Sequence, residues 1–202
     1  MSMQNMWNTK FSRDGYLYGK EPNSFLAAKA TLLAPKSNLL MLGEGEGRTA
    51  CYMASLGHSV TALDASDVGL EKTATLAKEL NVHVTTLHAD LESWQSEETY
   101  AAILTSFLHL PEPLRTKAFS HVLDILPSGG YFMGEFFAVE QLSRDSGGPK
   151  MEGLLYTLSA VETIFRRADV KVILLEACVD HLCEGSGHNG DAELIRVVVQ
   201  KL

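Results

Sequence analysis

Short apolar runs alternate along the chain with stretches whose apolar residues recur every three or four positions. Leu39–Leu42 reads as a buried strand, and Arg48–Leu56 places Ala50, Met53, Ala54 and Leu56 on a helix closed by Gly57. "HSVTALD" is the next strand; Ser66 can then cap a helix with Leu70, Ala74, Ala77 and Leu80 on one face. "VHVTTL" and "YAAILTS" read as the third and fourth strands. Pro111 and Pro113 open a helix carrying Leu114, Ala118, Val122 and Ile125, which "LPSGG" stops. "YFMGEFF" is a fifth strand, and after an irregular stretch with "SGGPK" a helical pattern resumes over Leu158–Phe165.

This βαβα order predicts a parallel sheet with helices on both faces. The end departs from it. "VKVILLEACVD" and "AELIRVVVQKL" are both strand-like, and the link "HLCEGSGHNGD" is glycine-rich, polar and barely long enough for a crossover. An antiparallel hairpin is therefore expected. The length, 202 residues, suits one domain, and no repeat or linker interrupts it.

Composition narrows the function. A net charge of −8, without any Lys/Arg cluster, argues against nucleic-acid or anionic-membrane binding. Nothing resembles a signal peptide or a membrane span, and three scattered cysteines, Cys51, Cys178 and Cys183, make no disulfide framework. A cytoplasmic protein with reduced thiols is expected.

The chemistry concentrates at "LGEGEGR", where Gly43, Gly45 and Gly47 join the first strand to the first helix. Such a turn lies at the carboxyl end of the sheet, where open α/β folds bind ligands. Asp64 ends the second strand about 20 residues further on, where a carboxylate can take both ribose hydroxyls. Asp90 ends the third strand and can face an adenine amino group. The spacing is GxGxG rather than the GxGxxG of a pyrophosphate loop. Glu44 and Glu46 disfavour an anion there and suit a cationic, phosphate-free nucleoside, a description that S-adenosylmethionine meets.

These residues resemble the class I S-adenosylmethionine-dependent methyltransferases. "LLMLGEGEGRTACYMASLGHSVTALDAS", "HAD" and "LPSGGYF" are similar to that family's motifs, and the loop with its trailing Arg48 is most similar to the small tellurite-resistance (TehB-like) group. The resemblance implies an α/β, three-layer, doubly wound, seven-stranded, mostly parallel sheet of Rossmann-like methyltransferase type, ending in the antiparallel C-terminal hairpin. It also implies that Gly43, Glu44 and Gly45 line the methionine and ribose, that Asp64 binds the ribose, and that Ala65 and Ser66 flank the adenine. Asp90 with Leu91 would recognise the adenine edge, and Ser106 with Phe107 would lie under the methionine. The family's usual acid two places before the first glycine is Met41 here.

The acceptor is less legible. The stretch Trp7–Tyr18, within a covering segment expected over residues 1–30, can form a short helix over the cofactor with Tyr18 near the methionine tail. His109, after the fourth strand, is the best-placed imidazole for proton transfer, whereas Glu135 reads equally as a pocket residue or a satisfied strand-end acid. Glu184 and His188 are candidate rim groups, and the His and Cys spacing around them supports no metal site. A small-molecule acceptor is expected, with a thiol or a metalloid oxyanion favoured because a thiolate or oxyanion needs no general base and the tellurite-resistance resemblance implies an oxyanion, or else a protein side chain; oligomeric state is not readable. Two alternatives stand beside the enzyme: a non-catalytic S-adenosylmethionine sensor, and an NAD-dependent oxidoreductase. The latter is disfavoured because the Tyr16/Lys20 spacing precedes the glycine loop.

Overall fold

The computed structural model describes residues 3–202. Five parallel strands and a terminal hairpin form one seven-stranded sheet of order β3-β2-β1-β4-β5-β7-β6. The strands are β1 (Asn38–Leu42), β2 (Ser59–Asp64), β3 (Thr85–His88), β4 (Ala102–Ser106), β5 (Tyr131–Phe137), β6 (Val170–Glu184) and β7 (His188–Lys201). β7 runs antiparallel to both β5 and β6, as the missing crossover requires. The order reverses at β1, which pairs with β2 on one side and β4 on the other, so the ligand-binding crevice of the fold opens there.

Among the described residues six α-helices accompany the sheet: α1 (Met3–Phe11), α2 (Ser24–Lys29), α3 (Arg48–Ser55), α4 (Asp67–Glu79), α5 (Leu114–Ile125) and α6 (Leu158–Phe165). Strand periodicity divides the core in two. Leu39 and Met41 face a layer with Ala50, Met53 and Leu70, whereas Leu40 and Leu42 face one with Phe119, Val122 and Phe165. Both faces of the central strands β1, β4 and β5 are thus covered, which explains their nearly continuous apolar runs, whereas β3 at the sheet edge is largely exposed.

Three sequence expectations are corrected. The buried stripe of α4 is Leu70, Thr73, Leu76 and Ala77, not Leu70, Ala74, Ala77 and Leu80; Leu80 is exposed, and the Thr73 hydroxyl is buried because it donates to Gly45 O at 2.9 Å. The third strand starts at Thr85 rather than Val82. The expected eleven-residue hairpin link is mostly strand: His181 pairs with Asp191 across the ladder, and only residues 185–187 turn.

Candidate functional site

The carboxyl ends of β1, β2 and β4 open into a cleft of about 800 Å³, its mouth included, within the size range of small-molecule sites. Gly43, Gly45 and Gly47 all hold positive φ, so the chain reverses sharply between β1 and α3. At Gly47 the requirement is double: φ is +89°, and a Cβ would stand 2.7 Å from Thr73 Cα on α4.

The two glutamates of this loop separate. Glu44 lines the cleft and folds back, its Oε1 accepting from Thr49 N at 2.9 Å and Ala50 N at 2.7 Å. Its carboxyl itself occupies the N-terminus of α3, the position a phosphate takes in dinucleotide loops. Burial pushes its pKa up to about 7 against the opposing pull of the Ala50 N–H, Arg48 and the Thr49 N–H. Glu46 turns away: Oε2 accepts from Leu17 N at 2.7 Å, and Oε1 meets Lys72 Nζ at 2.9 Å. The expectation that both glutamates face a ligand is corrected for Glu46, which is neutralised by Lys72 and holds the N-terminal segment.

Asp64, only 7% exposed, also lines the cleft. Oδ2 accepts from Gly45 N at 2.8 Å and Oδ1 from Ser66 N at 2.7 Å. Each oxygen keeps a second lone pair, the geometry needed for two adjacent hydroxyls. Burial raises the carboxyl while the Ser66, Gly45 and Ala65 N–H groups pull it down. The residues therefore fit an adenosyl group: a two-oxygen acceptor for the ribose beside a loop whose helix N-terminus is already filled.

Ala65, Asp90, Leu91, Ser106, Phe107, His109, Tyr18, Gly43 and Gly45 line the same cleft. Asp90 is exposed and also accepts from Glu92 N at 2.9 Å, serving the local turn as well. Phe107 holds φ +54°, a costly conformation for a non-glycine residue, and packs on Phe137 and His188 at centroid distances of 4.6 and 4.5 Å. Ser66 is a correction: it does not line the cleft but is fully buried, capping α4 through Gly69 N at 3.0 Å and donating to Asn8 Oδ1 at 2.6 Å.

Trp7, Phe11 and Tyr18 of the N-terminal segment close one side of the cleft. Arg48, Leu108 and Ala89 line it without any signal in the sequence beyond their adjacency to motif residues. Met41 does not reach it, being fully buried in the α3/α4 layer. His109 does reach it, but its Nδ1 is buried with no hydrogen-bond partner among the described residues, and burial pushes its pKa down to about 3.

A second imidazole is better connected. His188 Nδ1 lies 2.9 Å from Glu184 Oε2, which also meets Arg48 at 2.9 Å. Asn23 Nδ2 joins Glu184 Oε1 at 3.4 Å and Glu135 Oε2 at 2.5 Å, and Arg196 Nε donates to Glu135 Oε1 at 2.7 Å. Glu135 is thus a satisfied buried acid outside the cleft lining. The ring of Tyr18 lies 4.3 Å from His188 and is seated against Gly187, where a Cβ would clash with it. The "SGGPK" loop backs this imidazole rather than facing the cleft: a Cβ on Gly147 would stand 2.6 Å from His188 Cδ2. Among the described residues no group of three or more His, Cys, Asp or Glu could hold a metal ion.

A family model described as "Methyltransferase domain" matches residues 39–130. A ubiquinone biosynthesis O-methyltransferase of Rickettsia akari (strain Hartford) is 35% identical over 69 residues, 34% of this chain and 28% of that relative. The fold is similar to that of TehB from Haemophilus influenzae (TM-score 0.73, 16% identity, 98% of this chain and 67% of that one). It is also similar to the N-methyltransferase NodS from Bradyrhizobium japonicum WM9, solved with S-adenosyl-L-homocysteine (TM-score 0.71, 14% identity, 98% and 97%). A third neighbour, from work on conversion of a disulfide bond into a thioacetal group during echinomycin biosynthesis, gives TM-score 0.78 at 15% identity over 99% and 92%. The matched segment, the sheet order and the cleft agree: residues 39–130 form a methyltransferase domain, and the chain has the Rossmann-like fold of S-adenosylmethionine-dependent methyltransferases.

Proposed function

We propose that this chain transfers the methyl group of S-adenosylmethionine to a small-molecule acceptor. The observation that carries the reading is the N-terminus of α3, where Glu44 already fills the anion position. That site repels a pyrophosphate and suits a nucleoside bearing a sulfonium and an amino group, which argues against the NAD-dependent alternative. Asp64 would take the ribose hydroxyls, Asp90 and Leu91 the adenine edge, and Gly43, Glu44, Ser106 and Phe107 the methionine portion. Of the covering segment expected over residues 1–30, of which residues 1 and 2 lie outside the described residues, Trp7, Phe11 and Tyr18 would exclude water.

When bound, S-adenosylmethionine supplies an already activated methyl group. The chain's residues are left to align the acceptor, exclude water and receive a proton where the acceptor has one to lose. The aromatic cover favours a small acceptor over a protein side chain. The names of the similar proteins point to oxygen, nitrogen and sulfur chemistry in turn, so fold alone does not choose among acceptors.

Isothermal titration with S-adenosylmethionine, S-adenosylhomocysteine and NADH tests the cofactor. The expected result is micromolar binding of the first two and none of the third; tight NADH binding would sink the reading. Transfer of labelled methyl to small acceptors separates the enzyme from a sensor that only binds.

A further inference from the structure

We propose that His188, oriented by Glu184, is the proton acceptor for a hydroxyl of phenolic type at this cleft, so that the enzyme is an O-methyltransferase. The proposal rests on the methyl-transfer reading and specifies its acceptor.

Glu184 is a carboxylate acceptor, so the 2.9 Å contact makes His188 Nδ1 the donor and leaves Nε2 with its lone pair. Both side chains are more than nine-tenths buried, and His188 lines the cleft. Burying a carboxylate and an imidazole is costly, and apolar packing would not call for it. Glu184 is further fixed by Arg48 and Asn23, so the ring is held from behind through three partners rather than left to rotate. A thiolate or an oxyanion acceptor would have no use for such an arrangement. The preference for those acceptors drawn from the sequence rested on their needing no base and on the tellurite-resistance resemblance; the dyad supplies a base better connected than His109.

The charged and titratable groups around His188 come from several elements. Glu184 on β6 and Arg48 on α3 are in its immediate shell, and Tyr18 packs on the ring at a tilt from the N-terminal segment. Lys10 of α1 and His109 act across the cleft, and Glu135 acts through Asn23 and Glu184. Burial lowers the His188 pKa, with Glu184 pulling it up and Arg48 and Lys10 pulling it down; the net shift is downward. The imidazole is therefore neutral near pH 7 and ready to accept a proton. Such a base matches a phenolic hydroxyl, whose pKa is about 10, better than an aliphatic alcohol. The ring walls of Trp7, Tyr18 and Phe107 suit an aromatic acceptor.

In the step, His188 Nε2 takes the hydroxyl proton as the O–H bond breaks. The oxygen's electron pair forms the O–CH₃ bond while the sulfonium S–CH₃ bond breaks with its pair kept on sulfur, giving a neutral thioether and a methyl ether. Glu184 stabilises the imidazolium until its proton returns to water.

Two measurements on the full chain decide the matter. Nitrogen-15 NMR of the free protein at pH 7.5 is expected to show His188 protonated at Nδ1 and bare at Nε2; the opposite tautomer, or an imidazolium, overturns the proposal. Labelled methyl transfer to catechol and to 2-mercaptoethanol is then compared in wild type and His188→Asn, which keeps a donor toward Glu184. Catechol methylation should fall at least 100-fold while S-adenosylhomocysteine binding changes less than threefold. Glu184→Gln should move the acid limb of the catechol kcat/KM profile, which a purely structural role would leave in place. Catechol transfer within threefold of wild type in His188→Asn, or wild-type transfer to the thiol alone, overturns the assignment. Failure of the wild type to bind S-adenosylhomocysteine would instead remove the underlying methyltransferase reading. If the cofactor binds and neither probe is methylated, the tautomer decides.

Discussion

Replacing Asp64 by asparagine isolates what its carboxylate does for the cofactor. Each oxygen accepts one backbone N–H, from Gly45 and Ser66, and each has one lone pair to spare. An amide offers one oxygen only. Whichever way it flips, its NH₂ faces one of those two N–H groups, and one of the two ligand hydroxyls loses its acceptor. A hydrogen bond to a charged group contributes about 1.5–3 kcal/mol, so S-adenosylmethionine should bind roughly 10- to 150-fold more weakly. Isothermal titration at 25 °C gives the affinity, and urea unfolding of the same samples shows whether the fold survives. Asp64→Ala should cost more in stability, because it strands both N–H groups in a site only 7% exposed, at about 1–3 kcal/mol each. Binding within threefold of wild type in a folded Asp64→Asn variant would refute the ribose assignment.

Other outcomes follow from neighbouring features. The folded-state pKa of Glu44, about 7, lies above its ordinary 4.5, so the folded protein holds that proton more tightly than the unfolded chain does. Its stabilising contribution is full below about pH 4.5 and is lost as pH rises toward 7, with a slope of at most about 1.4 kcal/mol per unit; urea midpoints across pH 5–8 should show that slope in wild type and not in Glu44→Gln. Gly47→Ala puts a Cβ at positive φ against Thr73 Cα and should destabilise by about 2–4 kcal/mol in urea unfolding. His109→Ala should change kcat less than tenfold, since a group with a pKa near 3 is too weak a base to give the 10²–10⁴ of general base catalysis; a larger loss in steady-state assays at unchanged cofactor affinity would return it to the reaction. Phe119→Ala empties a fully buried position between Phe132, Phe136 and Phe165 and should cost about 3–5 kcal/mol by urea unfolding without altering the cofactor affinity of the folded fraction.

Strands buried on both faces were legible because their apolar runs are short, β-branched or leucine-rich, and bounded by turn residues. The hairpin was legible because its link could not cross over. The length of that hairpin was not: His181 and Asp191 look like loop residues, yet they face each other across the ladder at 2.7 Å in an exposed pair. The face of α4 was misread because helical spacing permits two stripes, and the burial of Thr73 depends on a bond to the glycine loop that only tertiary structure supplies. At the site, glycines and strand-end acids marked themselves by position. Ser66 did not, since one hydroxyl can cap a helix or flank a base with the same sequence. The Glu184–His188 pair was visible only as two candidate rim groups in a polar stretch. Its chemistry comes from burial and from Arg48 and Asn23, which lie 136 and 161 residues before Glu184.

Met41 and Glu44 are two sides of one arrangement. The alternation of β1 sends Met41 into the layer under α3 and α4, where it is fully buried among apolar side chains. A carboxylate at that place would lack the pairing a buried charge requires. Three residues on, the Glu44 carboxylate meets two helix N–H groups and the field of Arg48, which offset part of its burial. The negative charge of this loop therefore stands where the helix can stabilise it, and it occupies the place a phosphate would otherwise take. A cationic ligand arriving beside Glu44 favours its ionised form and must lower its pKa from about 7. Binding of S-adenosylmethionine should accordingly release protons near pH 6.5, and neutral-sulfur S-adenosylhomocysteine should release fewer. Titrations in buffers of different ionisation enthalpy count those protons. Equal release by the two ligands would mean that Glu44 does not feel the sulfonium.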